Sequence, residues 1–359
     1  MQISFKRLAA SFLFGALLLA TPLYVFPKLP KNQSHFQVPE FKGVLSLWHA
    51  DTFEGGSLSR LEFLKGRAME FEKQNKGMFV SVQSFTFEQI KDKLADGEAF
   101  DLISFGAGIG EQLRSLLGVY GGAVNVRGDL LESGKLDGKI LALPWTYGGY
   151  MLAAYQDNLA AEKILTGENV FTHAKKKRIG KNDRQMYSLG TGFGAFNNPF
   201  AVLEANGVKI SGEFDFGGDF EATQYEAYEN YLTGDNFSVL LGTQRDLSRF
   251  VVRENNGKLK PCQFVFLGGY TDLVQYVGYF PSDRVKKQIC EGFMEYLTSD
   301  TVQRRLSKIE MFSVADKNIF TQGLHKEMEA ALSEKLIVPN AFTDGHLLKA
   351  ARKESFGNL

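Results

Sequence analysis

The sequence predicts an α/β protein with two regions, each built on a mostly parallel sheet flanked by helices. Two observations lead to this fold class. The chain has 359 residues, 44% of them hydrophobic, which is long for one domain and comfortable for two. From Gly43 onward, short apolar segments with strand character alternate with segments whose apolar residues recur at helical spacing. Strands connected through helices in this order form parallel sheets covered by helices.

The first region contains predicted strands at residues 44–48, 80–83 and 101–105. Residues 57–75 form a predicted helix because their apolar side chains fall on one face. Thr86 and Gln89 form a capping box for the helix that follows the second strand. In such sheets ligands bind at the carboxyl ends of the strands, so the loops after residues 48 and 105 are candidate binding loops.

The second region runs from about residue 150 to residue 266 and continues the alternation. It contains a predicted helix at residues 223–232, a strand at 237–241 and a helix capped by Asp246. Beyond it, residues 273–277 form a predicted strand, and Ser282 caps a helix with one apolar face. The tail from Thr321 is predicted to be helical with a polar surface.

The N-terminal residues 1–26 have the charge order of an export signal. Lys6 and Arg7 precede the uncharged stretch 8–26, and positive residues before an apolar stretch are typical of a secretory signal. No Ala-x-Ala-like cleavage site follows, and the stretch is just long enough to span a bilayer. We expect an uncleaved signal anchor that leaves the body of the protein outside the cell membrane, with cleavage as the alternative. Residues 27–42 form the predicted linker to the body.

The composition excludes several functions. The chain has 41 basic and 41 acidic residues, so nothing indicates a nucleic-acid partner. Cys262 and Cys290 have no metal-type spacing, and the five His residues are scattered, so we expect no metal site and no cofactor. A disulfide between the two cysteines is possible outside the cell, but buried free thiols are favoured.

No catalytic signature of a serine hydrolase, zinc protease or P-loop NTPase is present. The glycine-rich residues 106–110 follow a strand and are similar to a dinucleotide loop. Glu111 stands where the last required glycine of that fingerprint belongs, and its charge repels a pyrophosphate. A tight turn out of the sheet is therefore the favoured interpretation of this segment.

The loop after the first strand carries the richest cluster of ligand-type side chains. Trp48, Asp51 and Glu54 lie within a few residues of each other, followed by Gly55 and Gly56. Carboxylates accept hydrogen bonds from sugar hydroxyls, and aromatic faces cover the apolar face of a pyranose. The competing interpretation places Trp48 in the core and Glu54 in solvent. In a weaker alternative, Asp51 and Glu54 form the acid/base pair of a glycosidase.

A second aromatic cluster, with Trp145, Tyr147 and Tyr150, lies in a short segment rich in Pro and Gly. Such segments tend to be exposed, which makes Trp145 and Tyr147 candidate ligand contacts, with an aromatic core seam as the alternative. The loop of residues 190–198 can close over a ligand or lie on the surface. Gln244 follows the end of a strand and can face the cleft.

Four stretches resemble one protein family. They are the strand and helix of residues 45–75, the strand of residues 99–106, the segment 138–150 and the late helix of residues 285–297 with its continuation to Leu306. In order and spacing they are similar to the extracellular solute-binding proteins of ABC importers, in the branch of maltose- and glycerol-phosphate-binding proteins. Phe100 stands where family members often have Pro, and the region after Lys260 is shorter than in the family.

The resemblance implies a periplasmic-binding-protein-like fold whose two lobes close on a ligand about a hinge. It implies that residues 43–147 and 270–312 form lobe I, and that residues 148–269 and 313–359 form lobe II. The candidate binding segments of the two lobes then face each other across a cleft. Predicted ligand-binding residues are Trp48, Asp51, Glu54 and Phe105 on one wall and Trp145, Tyr147, Phe193, Asn197 and Gln244 on the other.

The resulting hypothesis is a non-catalytic protein that captures a small polar ligand and delivers it to an ABC importer permease. The aromatic and acidic residues of the predicted site indicate that this ligand is a carbohydrate. An alternative is a membrane-anchored surface sensor or assembly subunit with a degenerate cleft, because an integral anchor also suits a fixed sensor. A secreted carbohydrate-active enzyme that uses Asp51 and Glu54 is the third hypothesis.

Overall fold

The computed structural model describes most of the body of the chain, namely residues 38–50, 59–156, 177–178, 185–190, 196–208, 214–215, 224–233, 239–258 and 260–358. All of these belong to one compact unit that begins at Gln37. The predicted signal, residues 8–26, and the predicted site residues Asp51, Glu54 and Phe193 lie outside the described residues. Within the described ranges, no helix has the length and apolar character needed to cross a membrane.

The first sheet has five strands in the order β2-β1-β3-β13-β6. The strands are β1 (Gly43–Ala50), β2 (Met78–Phe85), β3 (Leu102–Phe105), β6 (Leu143–Tyr147) and β13 (Val274–Tyr279). Strand β1 pairs in parallel with β2 and β3, whereas β13 is antiparallel to both β3 and β6. The late strand β13 therefore completes a sheet whose other strands come from the first part of the chain.

The second sheet follows the path β10-β9-β11-β7-β12, with β8 paired to β9. Its strands are β7 (Tyr150–Tyr155), β8 (Lys177–Arg178), β9 (Gln185–Gly190), β10 (Phe214–Asp215), β11 (Val239–Thr243) and β12 (Cys262–Leu267). Strand β9 is parallel to β10 and β11, and β7 is antiparallel to β11 and β12. A separate hairpin joins β4 (Lys135–Leu136) to β5 (Lys139–Ile140).

Helices flank both sheets. They are Arg60–Gln74, Phe87–Ala95, Gly110–Leu113, Gly128–Ser133, Pro199–Ala205, Gln224–Thr233, Gln244–Asn255, Arg284–Thr298, Asp300–Gln303, Gly323–Ala331 and Gly345–Gly357, with a 3₁₀ helix at Arg304–Ile309. The predicted α/β fold with two lobes and a hinge is confirmed. Each sheet, however, combines parallel and antiparallel pairings, so the sheets are mixed rather than mostly parallel. We call the first sheet with its helices the first lobe and the second sheet with its helices the second lobe.

Helix caps explain where several elements begin. The predicted capping box of Thr86 and Gln89 is present, with both reciprocal hydrogen bonds. The prediction for Asp246 was wrong in position. Thr243 is the N-cap of this helix, and Asp246, its third residue, is the other partner in the capping box. The prediction for Ser282 was also wrong by one residue. Asp283 caps that helix and accepts from the backbone N–H groups of Val285 and Lys286.

The hinge consists of chain segments that leave one sheet and enter the other. Residues 147–150 connect β6 to β7, and residues 267–273 connect β12 to β13. Hydrogen bonds join these segments: Gly148 N donates to Leu273 O (2.7 Å), and the Thr271 hydroxyl donates to Gly148 O (2.8 Å). The backbone of Phe312 also pairs with Tyr147. These bonds hold the crossing segments side by side, as a hinge between two lobes requires.

Candidate ligand cleft

The carboxyl ends of the parallel strands define the edges at which a ligand can bind. In the first lobe, β1 ends at Ala50 and β3 ends at Phe105, followed by the glycine-rich residues 106–110. In the second lobe, β9 ends at Gly190 and β11 ends at Thr243. Six of the predicted site residues lie within the described part of the chain, and each is taken in turn below.

Phe105 lies at the edge of the first lobe and is fully buried. Its ring packs against Tyr276 of β13, with ring centroids 5.7 Å apart, and against Phe342 of the C-terminal tail, at 6.3 Å. The Tyr276 hydroxyl lies 2.8 Å from the hydroxyl of Ser133. Phe105 is therefore covered by the tail at the position where the sequence predicted a ligand-facing ring.

Trp48 is in the core of the first lobe and only 3% exposed. Its indole packs against Phe85 and Phe100, each with ring centroids 5.4 Å away, and Lys93 covers its face. The interpretation that places Trp48 in the core describes this arrangement. The side chain therefore packs into the core of the first lobe.

Trp145 is fully buried and lies under the helix Arg60–Gln74, where its indole stacks on Phe63 with centroids 5.8 Å apart. Its Nε1 donates to the Ser104 hydroxyl (3.1 Å), and Gln275 Nε2 donates to the same oxygen (3.0 Å). His49 Nδ1 is 3.2 Å from that hydroxyl. Ser104 on β3 thus contacts side chains from three other strands of the first sheet, namely β1, β6 and β13.

His49 is neutral in this network. Burial, together with the positive charge of Arg60, lowers the pKa of His49 to about 3. A neutral imidazole can accept a hydrogen bond at one ring nitrogen and donate one at the other, which suits a contact with a hydroxyl. The side chain therefore acts as a structural polar group at physiological pH.

Tyr147 is buried beside the hinge and packs against Phe312, with ring centroids 5.7 Å apart. It is hydrogen-bonded to the side chain of Arg127, whose guanidinium also binds Asp129 in bidentate fashion (2.8 and 2.7 Å). Burial raises the pKa of Asp129, but hydrogen bonds from the Leu336 N–H and from Arg127 outweigh it and hold that pKa below its usual value. Tyr147 belongs to a hinge-side polar network.

Gln244 is also fully buried, at the first turn of the helix Gln244–Asn255. Its Oε1 accepts from Gly149 N (3.0 Å), and its Nε2 lies 3.0 Å from the sulfur of Met311. A Cβ atom on Gly148 would lie 2.5 Å from the Gln244 Oε1, so a glycine is needed there. The side chain faces the hinge.

Asn197 is buried and hydrogen-bonded through its side chain to Asp272 of the hinge segment. Asp272 also accepts from Asn198 N (2.5 Å), from Tyr270 (3.2 Å) and from the Tyr150 hydroxyl. Burial raises the pKa of Asp272, although these donors oppose that shift. The network fixes residues 197 and 198 against the hinge.

Sequence reasoning missed Asp272 and the Arg127–Asp129 pair. Asp272 stands as a lone carboxylate between Tyr270 and the apolar strand β13, and a lone acidic residue in such a setting predicts a buried, hydrogen-bonded carboxylate. Arg127 donates to Leu332 O (2.9 Å) and Glu334 O (2.7 Å), residues far away in the chain. A contact over such a distance leaves no local pattern.

The glycine-rich residues 106–110 serve close packing. A Cβ atom on Gly108 would lie 2.3 Å from the ring of Phe196, and one on Gly110 would lie 1.9 Å from the Ala341 carbonyl oxygen. Space that a nucleotide phosphate would need is filled by protein atoms. The segment is a turn out of the sheet, as the sequence favoured.

The cysteines are separate free thiols, with Cys290 buried and Cys262 half-buried. Burial raises the pKa of each to about 12, so neither is a thiolate at neutral pH. In the described parts of the chain, no group of three His, Cys, Asp or Glu side chains comes together in a way that could hold a metal ion.

Comparisons with known proteins point to one fold. No family model matches the chain, and no curated protein matches it either. Among solved structures, the GacH receptor of Streptomyces glaucescens, solved without ligand and with acarbose, is similar over 88% of this chain and 92% of its own, with a TM-score of 0.61 and 12% identity. The sugar-binding protein MalE of Xanthomonas citri matches 87% of this chain and 91% of its own, with a TM-score of 0.59 and 14% identity.

An enzyme has a comparable similarity. Thiaminase I of Bacillus thiaminolyticus matches 88% of this chain and 98% of its own, with a TM-score of 0.60 and 8% identity. These similarities establish the class of fold: the chain has the two-lobed fold of ABC substrate-binding proteins, as the resemblance implied. Because one fold hosts several functions, the particular function has to be argued from the site.

Proposed function

We propose that this chain is an extracytoplasmic solute-binding protein that captures a carbohydrate between its lobes for an ABC importer. The observation that carries the proposal is the hinge. Two mixed sheets are joined by crossing segments that hydrogen-bond side by side, such as Gly148 with Leu273 and Thr271. A ligand that contacts both lobes only when they are closed stabilises the closed form.

The similar solved structures support a sugar as the ligand, because the GacH receptor was solved with acarbose and MalE is a sugar-binding protein. The chemistry of the predicted site agrees with this class. Asp51 and Glu54 can accept from sugar hydroxyls, and Phe193 can cover the apolar face of a ring. We retain these three residues as predicted ligand contacts.

We assign the other six predicted residues a supporting role. Trp48, Trp145 and Phe105 pack in the core beneath the binding edge of the first lobe. Tyr147, Gln244 and Asn197 hold the hinge. A side chain without exposed surface influences a ligand through the loops that it positions. This division predicts that substitutions in the first group weaken binding directly, and that substitutions in the second group act on stability and on closure.

We also propose that the protein is not an enzyme. The buried thiols of Cys262 and Cys290 have a pKa of about 12, which makes them poor nucleophiles. Export and membrane anchoring by residues 8–26 remain proposals that rest on the charge order of the N-terminus. Delivery to an importer permease is part of the same proposal and is supported by the fold that the chain shares with ABC substrate-binding proteins.

Identification of the natural ligand tests the function. The protein is purified from its own host without added sugar and denatured, and the released small molecules are measured by mass spectrometry. We expect a carbohydrate in near-stoichiometric amount, reduced in the variant with Asp51→Asn and Glu54→Gln. The matched control carries Asp92→Asn and Glu88→Gln in the helix Phe87–Ala95 and retains the sugar. Stoichiometric release of a ligand from another class, such as a metal ion or an amino acid, would contradict the proposal.

A further inference from the structure

The ring of Phe196 belongs to the second lobe and lies against the first. The neighbouring Asn198 N–H donates to Asp272 of the hinge segment, and the helix Pro199–Ala205 follows directly. On the other side, the Phe196 ring packs against Phe87, at the start of the helix Phe87–Ala95, with centroids 5.6 Å apart. The side chain therefore connects the two lobes at the edge where the strands of the first sheet end.

Glycines make room for this ring. A Cβ atom on Gly108 would lie 2.3 Å from two ring carbons of Phe196, and a Cβ atom on Gly345 would lie 2.7 Å from a third. Real Cβ atoms do not approach other atoms so closely, so neither position accommodates a side chain while Phe196 occupies this place. The ammonium group of Lys349 lies 5.4 Å from the ring centroid and adds a cation–π contact.

A second close contact lies beside the first. Gly110 approaches the tail so closely that a Cβ atom there would lie 1.9 Å from the carbonyl oxygen of Ala341. The next tail residue, Phe342, packs on Phe105. The tail is held by both lobes: Ala341 N donates to Ser133 O (2.8 Å) in the first lobe, and the Asn198 side chain donates to Ser355 of the last helix (3.0 Å). The turn of the first lobe thus receives the Phe196 ring of the second lobe beside a tail segment that is bound to the first.

We infer that the turn at Gly108 is a docking socket for Phe196 that holds the lobes together without a ligand. The inference rests on the proposed function in one respect, since it assumes that the lobes open and close. The glycine at position 108 then has a purpose that neither nucleotide binding nor a plain turn provides. A side chain at Gly108 would prevent the Phe196 ring from docking.

A socket of this kind changes how a ligand binds. If the closed form predominates without ligand, entry requires a transient opening, and the observed association rate equals the rate for the open form multiplied by the fraction of molecules that are open. Because release also requires opening, the bound ligand dissociates slowly. The socket therefore determines the speed of capture and release, whereas the residues that contact the ligand determine which ligand is captured.

The test measures the distance between the lobes without any ligand. Spin labels are placed at Lys91→Cys on the first lobe and Lys353→Cys on the second, both at exposed positions of the full-length chain in detergent, with Cys262→Ser as the common background. Pulsed electron–electron resonance then gives the distribution of distances. We expect one dominant short distance in this background, and a shift of the majority of molecules to longer distances in Phe196→Ala and in Gly108→Ala.

Matched controls separate docking from general destabilisation. Phe79→Ala removes an exposed ring of the first lobe, and Gly97→Ala changes a glycine whose φ of +78° is similar to the +94° of Gly108 but which has no atom within 4 Å of its Cβ position. Both controls should keep the short distance. Because Phe196 and Gly108 lie on different lobes, a folding failure of one variant leaves the other as a test.

Two results would overturn the inference. One is a long distance in the ligand-free background, and the other is an unchanged short distance in folded Phe196→Ala and Gly108→Ala. Neither result affects the proposed function, which depends on whether a carbohydrate binds and is tested on the unlabelled protein. Conversely, a short distance without ligand in a protein that releases no sugar would support the socket and favour a sensor or assembly subunit.

Discussion

The Oε1 atom of Gln244 accepts a hydrogen bond from the backbone N–H of Gly149 over 3.0 Å. This contact joins the helix Gln244–Asn255 of the second lobe to the hinge segment 147–150. The same side chain reaches Met311, which precedes the residue that pairs with Tyr147. One buried amide thus holds two hinge segments in place. Because hinges are a few residues that absorb backbone rotation, the contacts of Gln244 are expected to limit how the lobes move.

Removal of this amide should weaken the whole molecule. In Gln244→Ala the Gly149 N–H loses its acceptor in a dry environment, which costs about 1–3 kcal/mol. We expect a decrease of that size in the free energy of unfolding measured by urea denaturation. The exposed Gln83→Ala on β2 is the control and should change stability by less than about 0.5 kcal/mol. Equal stabilities of the two variants would contradict the assigned role.

The carboxylate of Asp272 should be the most sensitive position of the hinge. Asp272→Leu leaves Tyr150, Tyr270 and the Asn198 N–H without their common acceptor, and we expect a loss of about 3–5 kcal/mol. Asp272→Asn keeps one acceptor oxygen and should lose less. Thermal unfolding of both variants, with the exposed Asp92→Asn as control, measures this order. A leucine variant as stable as the asparagine variant would contradict the network.

The buried His49 predicts a particular pH dependence of stability. Its pKa in the folded protein is about 3, and the ordinary value is 6.5, so only the unfolded chain takes up a proton between these values. The stabilising effect of neutral His49 is present above pH 6.5 and is lost as the pH falls towards 3, with a slope of at most about 1.4 kcal/mol per pH unit.

Urea denaturation between pH 7 and pH 4 measures this slope. In His49→Gln, the fall in the free energy of unfolding with decreasing pH should be smaller than in the wild type. The exposed His346→Gln is the matched control and should retain the wild-type slope. Identical slopes in all three proteins would show that His49 is not the group that titrates.

Trp145 allows a separation of packing from ligand contact. Trp145→Phe retains an aromatic ring against Phe63 but removes the N–H that donates to Ser104, so stability should fall by about 1 kcal/mol. Because the side chain is 0% exposed, affinity for the ligand should stay within about twofold of wild type. Calorimetric titration with the identified sugar measures it. A tenfold loss of affinity in a correctly folded variant would return Trp145 to the binding wall.

Local signals in the sequence predicted much of the fold. The strand at residues 44–48 and the capping box at Thr86 were found because alternation and capping act over a few residues. The observed cap lies one position from the prediction at Asp283 and three positions from it at Thr243. Ser282 and Asp283 are both good capping residues, and so are Thr243 and Asp246, so composition alone does not decide between them. The mixed character of the sheets was not predictable, because β13 enters the first sheet from more than a hundred residues away.

The candidate site was harder to predict for a related reason. Trp48 and Trp145 stand beside acidic or glycine residues, a pattern typical of sugar sites, but both faces of the first sheet are covered by helices and both rings pack inward. Periodicity indicates which side chains share a face and cannot show which faces stay open. The tail that covers Phe105 and the partner of Phe196 come from distant parts of the chain.

Titration calorimetry over a panel of carbohydrates is the most direct test of whether the chain captures a sugar. The panel contains malto-oligosaccharides and other oligosaccharides, with polyols, phosphorylated polyols and amino acids for comparison, and the full-length protein is first shown to unfold cooperatively. The account predicts saturable binding of one carbohydrate class with one ligand per chain, and weakened binding in Asp51→Asn and Glu54→Gln. Absence of binding across all carbohydrates in the folded protein, or saturable binding of another class alone, would contradict it.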